Sequence, residues 1–362
     1  MFLNYYGLRE QPFGVTPDPR FLYLSPAHRE ALASMLYGIE AGRGFIGLIA
    51  PPGMGKTTLL FHLLEKFRSS ARTAFLFQTQ CNSREFMRFL LAELNYECDD
   101  HDFVRMHEEF NKRLLQEARA GNRFIVVIDE AQNLEPSVLE TVRLLSDFET
   151  PRAKLMQIIL AGQPELADKL AKPGMLQLRQ RVSLMAGLKP LSFEETDKYV
   201  HHRLRAVGYQ GGPMFTPEAM LRIAEFTAGI PRNINNLCFN CLSIGCAVQK
   251  KVIDTEIVDE VCRDLDIMQH TSHANPNSSA YGPGVAQVFS EEAVTVTQPS
   301  ADVLAAASGA NGYTGSSFNG RKPQQPLSPA EATAYMQQIA AQLQGFSRVV
   351  SDVAGRKMPD NA

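Results

Sequence analysis

Residues 44–60, GFIGLIAPPGMGKTTLL, decide the fold. An apolar run with strand character meets a glycine-broken loop, then Lys56, Thr57 and a run with helical character. That order is the layout of a phosphate-binding loop. Successive backbone N–H groups of the turn point at a phosphate, and the following helix N-terminus adds partial positive charge. Pro52, Gly53, Met54 and Gly55, followed by Lys56, Thr57 and Thr58, are therefore expected to cradle a triphosphate. Lys56 can reach the β- and γ-phosphates, and the Thr57 hydroxyl suits Mg²⁺. One position departs from G-x-x-x-x-G-K-[ST]: Ala50 replaces the first glycine. Gly53 and Gly55 keep the places where the backbone comes closest to phosphate, so the loop is expected to function.

The second strong signal is FIVVIDEAQNL at 124–134, an apolar strand ending in adjacent acids. Asp129 at the strand tip can order Mg²⁺ through its water shell, and Glu130 can orient and polarise an attacking water. A later apolar run, 155–161, leads to Ala161-Gly162-Gln163, which places Gln163 at a neighbouring strand tip. QLRQRV at 177–182 sets Arg179 and Arg181 just before the last strand. Gly229-Ile230-Pro231-Arg232 opens a helix whose first turn carries Arg232 within reach of a nucleotide.

From 44 to 189 short apolar runs at 45–50, 73–78, 124–129, 155–161 and 182–187 alternate with segments of helical period. This alternation predicts an α/β domain, a parallel sheet with helices on both faces and strands buried on both sides. Residues 1–43 form a leading segment flanking the nucleotide, broken by Pro12, Pro17 and Pro19, then a helix capped by Ser25-Pro26. Phe13, Phe21 and Tyr23 there read as packing residues. Over 190–268 strand signal vanishes and four helices are expected, at 192–207, 217–228, 231–249 and 254–266, as a small all-helical lid. Residues 269–327 are rich in Ala, Ser, Gly, Asn, Gln and Pro and read as a disordered linker. Residues 328–355 predict an amphipathic tail helix, with Met336, Ile339, Leu343, Phe346, Val350 and Val353 on one stripe.

The 362 residues carry a formal net charge of −3, so no global basicity advertises nucleic acid. The opening MFLNYYGLREQPF lacks the apolar core of a signal peptide, and no run suits a membrane helix. A cytoplasmic location is expected, with membrane association only through a partner. The six cysteines, Cys81, Cys98, Cys238, Cys241, Cys246 and Cys262, fit a reducing compartment. Cys238-x-x-Cys241 with Cys246 nearby could suggest zinc, but its place in an apolar helical run reads as packing.

These residues resemble the AAA+ branch of P-loop ATPases, and more narrowly the ExeA/GspA-type secretion ATPases. The resemblance covers residues 1–268. It rests on Tyr6-Gly7-Leu8, Pro12-Phe13, Thr16-Pro17-Asp18-Pro19-Arg20-Phe21-Leu22-Tyr23, Ile128–Leu134, Ala161–Leu166 and Gly229–Asn235. It implies binding and hydrolysis of ATP with Mg²⁺ by a homo-oligomer, ring or filament. Lys56 and Thr57 would be Walker A, Asp129 and Glu130 Walker B, Gln163 sensor 1 and Arg232 sensor 2. Arg181 would be the arginine finger, with Arg179 in reserve, and the segment before the P-loop would flank the adenine. Full-length members of that family continue into a membrane span and a periplasmic peptidoglycan-binding domain. The linker and tail helix here look closer to shorter cytoplasmic relatives linked to pilus, exopolysaccharide or exosortase systems. The same ATPase type also resembles the TniB/TnsC transposition regulators.

The first expectation is an oligomeric motor or switch for an envelope export system, with residues 328–353 docking on a protein partner. The second is a DNA-associated regulator of transposition or replication, motivated by His201, His202, Arg203 and Arg205 in the lid. A third, a nucleotide-binding scaffold without turnover, conflicts with Glu130.

Overall fold

The computed structural model describes residues 2–77, 79–96, 102–150 and 153–272. The expected tail helix, most of the expected linker and Cys98 lie outside the described residues. In chain order, the short helix α1 (Phe2–Tyr6) and the long helix α2 (Pro26–Glu40) precede strand β1 (Phe45–Ile49). Then come α3 (Lys56–Phe67), β2 (Ala71–Leu76), α4 (Ser83–Glu93), α5 (Phe103–Arg119), β3 (Arg123–Ile128) and α6 (Pro136–Leu145). A two-residue-per-strand hairpin, β4 (Glu149–Thr150) and β5 (Ala153–Lys154), leads to β6 (Met156–Gly162). Helices α7 (Pro164–Ala171) and α8 (Leu176–Arg181) then precede β7 (Val182–Gly187).

Among the described residues β1, β2, β3, β6 and β7 form a five-stranded sheet in the order β2-β3-β6-β1-β7, with every pairing parallel. Parallel neighbours need long crossovers, and the helices supply them on both faces. Successive side chains point to opposite faces. Ile125 and Val127 therefore meet Met35, Ile39, Leu59 and Leu63 of α2 and α3, while Val126 and Ile128 meet Phe86, Phe110, Val138 and Leu166 of α4 to α7. The central strands β3 and β6 are buried along almost their whole length, and β1 nearly so. Burial on both sides does not extend to the edges. In β2 and β7 partly or fully exposed residues recur, because an edge strand lacks a neighbour on one side. The strand expected at 73–78 also starts earlier, at Ala71, since its register is set by pairing from Ala71↔Arg123 to Leu76↔Ile128.

The lid comprises α9 (Phe193–Ala206), α10 (Pro217–Thr227), α11 (Pro231–Ala247) and α12 (Thr255–Ser272). Its starts are dictated locally. Ser192 and Glu195 form a reciprocal capping box, and the Thr216 side chain caps α10 ahead of Pro217. Helix α12 runs to Ser272, past the expected linker start at 269. Cys238, Cys241 and Cys262 are buried in the lid core, where burial pushes the Cys238 and Cys241 thiols up and keeps them unreactive. Tyr6, Leu8, Phe13 and Phe21 join this same core, so the stretch before α2 packs with the lid while α2 itself packs on the sheet. Among the described residues no helix is long and apolar enough to cross a membrane.

Candidate active site

Strand β1 lies between β6 and β7 although each is distant in sequence, so the chain leaves β1 at a switch in strand order. Ala50 continues the ladder there, its N–H donating to the Gly162 carbonyl at 3.1 Å, and it keeps a negative φ that alanine adopts freely. The backbone at this position therefore makes no demand for glycine. Gly53 and Gly55 have φ of 80° and 84°, in the left-handed region, and Gly55 caps helix α3, which begins at Lys56. Pro52 is exposed on the loop, and Met54 is fully buried beneath it. The Met54 carbonyl lies 3.1 Å from His28 Nε2, and His28 Nδ1 lies 2.8 Å from the Ser25 hydroxyl. Burial holds the His28 imidazole below its ordinary range, so it is neutral. A carbonyl only accepts, hence Nε2 carries the proton and Nδ1 accepts from Ser25.

Lys56 is 5% exposed. Its ammonium donates to the Ala50 and Pro51 carbonyls at 3.0 and 3.4 Å and lies 4.0 Å from Glu130 Oε1. Burial pulls its pKa below the lysine range, against the opposing pull of Glu130 and Asp129. The Thr57 hydroxyl donates to Asp129 Oδ2 at 2.5 Å, which joins the loop to the tip of β3. Asp129 is buried, and its Oδ1 accepts the Glu130 N–H at 2.9 Å. A hydroxyl and a carboxylate, two hard oxygen donors already in contact, are the donor set Mg²⁺ prefers.

Glu130 stands just past β3 at φ 51°, ψ 39°. Its Oε2 accepts from Gln132 Nε2 at 2.6 Å and from Gln163 Nε2 at 2.9 Å. Gln132 Oε1 in turn accepts the Gln163 backbone N–H at 3.1 Å. Burial pushes the Glu130 carboxyl up, but the two amide bonds and the Lys56 and Arg232 charges outweigh it and hold it below the usual range. Lys169 of α7 donates to the Gln132 and Leu134 carbonyls at 2.6 and 2.7 Å, which pins the turn that carries Gln132.

Arg232 opens α11 with its backbone N–H donating to the Gly53 carbonyl at 3.1 Å. The lid thus rests on the phosphate loop itself. Between them lies an open cleft, lined by Gly53 to Thr58, Glu130, Arg232 and residues 14–18 and 21–23. Lys56, Thr57, Thr58, Asp129, Glu130, Gln163 and Arg232 are therefore brought to one end of the sheet. Arg179 and Arg181 are not. Val182 pairs with Phe45, so both arginines sit by the N-terminal end of β7, opposite the phosphate loop. Arg179 is exposed, and Arg181 donates to Asp147 and to the Ser146 hydroxyl. Sequence reasoning gave no role to Gln132, although it lies two residues after Glu130 on a tight turn. It also missed His28, whose only signal is its third place after the Ser25 cap.

Residues 39–170 match the AAA domain family. Over those residues the chain is similar to an AAA domain. This is the domain of P-loop ATP hydrolases, and the parallel order around β1 and the paired strand-tip acids agree with it. General secretion pathway protein A of Aeromonas hydrophila is 38% identical over 243 residues, 67% of this chain and 44% of that protein. The chain spans less than half the length of the curated relatives it matches. Among solved structures, Cdc6p of Pyrobaculum aerophilum overlays with a TM-score of 0.54 at 19% identity, covering 69% of this chain and 71% of that one. The ORC2 protein of Aeropyrum pernix gives 0.55 at 13% identity, covering 70% and 71%. At such identities the likeness is one of fold: AAA core plus helical lid.

Proposed function

We propose that the chain binds and hydrolyses Mg-ATP and works as an oligomeric switch or motor for an envelope secretion, pilus or exopolysaccharide export system. The observation that carries the chemistry is the contact of Thr57 with Asp129 beneath the loop, beside a Glu130 whose carboxylate is ionised and held by two amides. Mg²⁺, held by Thr57 and Asp129, would supply charge neutralisation on the phosphates. Lys56 leaves the Ala50 and Pro51 carbonyls for phosphate oxygens. Glu130 keeps Oε1 directed at the reacting end, where it orients water and takes its proton. Gln132 and Gln163 fix that carboxylate and so set the angle of attack. Such positioning and charge stabilisation is most of what phosphoryl transfer asks of a protein.

The export reading is supported by the likeness to general secretion pathway protein A. Location on the cytoplasmic face and docking through residues 328–353 belong to this proposal. The DNA reading loses its motive. Arg203 is buried, His202 lies half-buried against Tyr23 and His201 pairs with Asp197, leaving Arg205 alone exposed among the four. Lys56→Ala tests the site. Calorimetry is expected to show Mg-ATP affinity reduced at least tenfold and phosphate release abolished; unchanged turnover would overturn the assignment.

A further inference from the structure

The leading segment lines the cleft together with Tyr199, Arg203 and Asn235 of the lid, and the buried cation among them holds its backbone. Arg203 on α9 is 7% exposed. Its Nε donates to the Pro12 carbonyl at 2.5 Å, its Nη2 to the Gly14 carbonyl at 3.2 Å and its Nη1 to the Tyr199 hydroxyl at 2.9 Å. The guanidinium also lies 4.7 Å from the Phe21 ring centre and 5.7 Å from that of Tyr199. Tyr199 donates onward to Asn235 Oδ1 on α11 at 2.8 Å, and Asn235 Nδ2 returns to the Gly14 carbonyl at 3.5 Å. Among the described residues no carboxylate pairs with Arg203. A buried guanidinium is tolerable only when its donors are satisfied, and here carbonyls, a hydroxyl and aromatic faces do so.

This network holds one stretch of backbone. Phe13 and Phe21 anchor in the lid core on either side of it, and Gly14 to Asp18 between them line the cleft. Val15 and Thr16 are exposed, and among the described residues their backbone N–H and C=O groups have no protein partner. Those groups are therefore open to whatever occupies the cleft. The phosphate end of the cleft is built by the loop after β1, with the first turn of α11 resting on it through Arg232.

We propose that Arg203, with Tyr199 and Asn235, is a positioning residue for base recognition: it fixes Gly14–Asp18 as the wall against the nucleotide base. Base-dependent affinity is then set from the lid, and phosphate affinity from the P-loop. This rests on the ATP reading above.

The test is calorimetric titration of the full chain with Mg-ATP, Mg-GTP and magnesium tripolyphosphate, which has phosphates and no base. Wild type is expected to prefer ATP to both others. Tyr199→Phe removes one oxygen and leaves the packing intact, and Arg203→Lys keeps the charge but loses the fork. Each is expected to weaken ATP about tenfold, the loss of a hydrogen bond in a charged network, with tripolyphosphate affinity unchanged. Retained tripolyphosphate binding also reports an intact P-loop. ATP and tripolyphosphate falling together, or ATP unaffected in both variants, would overturn the inference. Equal wild-type affinity for ATP and tripolyphosphate would overturn it too while leaving the phosphate site standing. A wild type that binds neither would overturn the functional reading itself.

Discussion

Glu130 bears a backbone cost that its neighbours do not. A residue with a Cβ in the left-handed region gives up roughly 1–2 kcal/mol, and Glu130 holds it at φ 51°. The turn brings the carboxylate over Gln132 and within reach of Gln163, so one oxygen is fully occupied and the other faces Lys56. Both ionisable partners are displaced in the free protein, and the direction decides a pH profile. The Glu130 carboxyl lies below its ordinary 4.5, so the ionised base persists as pH falls and is lost only through that lowered value. The Lys56 ammonium lies below its ordinary 10.5, so its charge is lost earlier than usual as pH rises. In kcat/KM, which reports the free enzyme, the acid limb is expected below 4.5 and the alkaline limb below 10.5. An acid limb centred at or above the ordinary glutamate value would contradict the amide clamp.

At the scale of elements, the phosphate loop is where strand, helix and lid meet. A Cβ added at Gly53 would stand 2.8 Å from Arg232 Cβ and 3.1 Å from Ile230 Cγ2, on a backbone at φ 80°. Gly53→Ala is therefore expected to destabilise the protein by roughly 1 kcal/mol or more and to weaken ATP, by forcing the lid away from the loop. A thermal melt and a titration check this; an unchanged melting temperature with unchanged affinity would remove the lid–loop contact from the account. These elements were largely legible in the chain. The loop announces itself because phosphate needs glycine at fixed places, and β3 and β6 do so because central strands are almost wholly apolar. The edges β2 and β7 are blurred by mixed burial, and the β4–β5 hairpin is too short to carry a period. Arg203 was illegible for another reason. A cation on a helix reads as solvated unless its partners are known, and its carbonyl partners lie 189 and 191 residues away along the chain.

At the scale of the whole molecule, the arginines before β7 lie a strand length from the phosphates of their own subunit, about 16 Å for five residues of β1. A contribution from Arg181 to the reaction then has to come from a second copy, after it leaves Asp147. In the oligomer proposed above, Arg181→Ala lowers turnover because a neighbour's site lacks its cation, often worth orders of magnitude in rate. Mixing Arg181→Ala with Glu130→Gln is expected to restore part of the activity, since an intact site on one subunit borrows an intact arginine from the other. Titration of one variant into the other at fixed total protein reads this out. No recovery at any ratio, with a monomeric enzyme by sedimentation, would contradict shared sites.

The central claim is that a triphosphate is cleaved between the loop after β1 and the acids at the tip of β3. Glu130→Gln tests it most directly, because it removes the base and leaves Lys56, Thr57 and Asp129 in place. Mg-ATP binding and steady-state phosphate release are measured on the same preparation. Binding near wild type is expected, with release down by about 10²–10⁴-fold. Release at the wild-type rate, with ATP bound equally well, would contradict it.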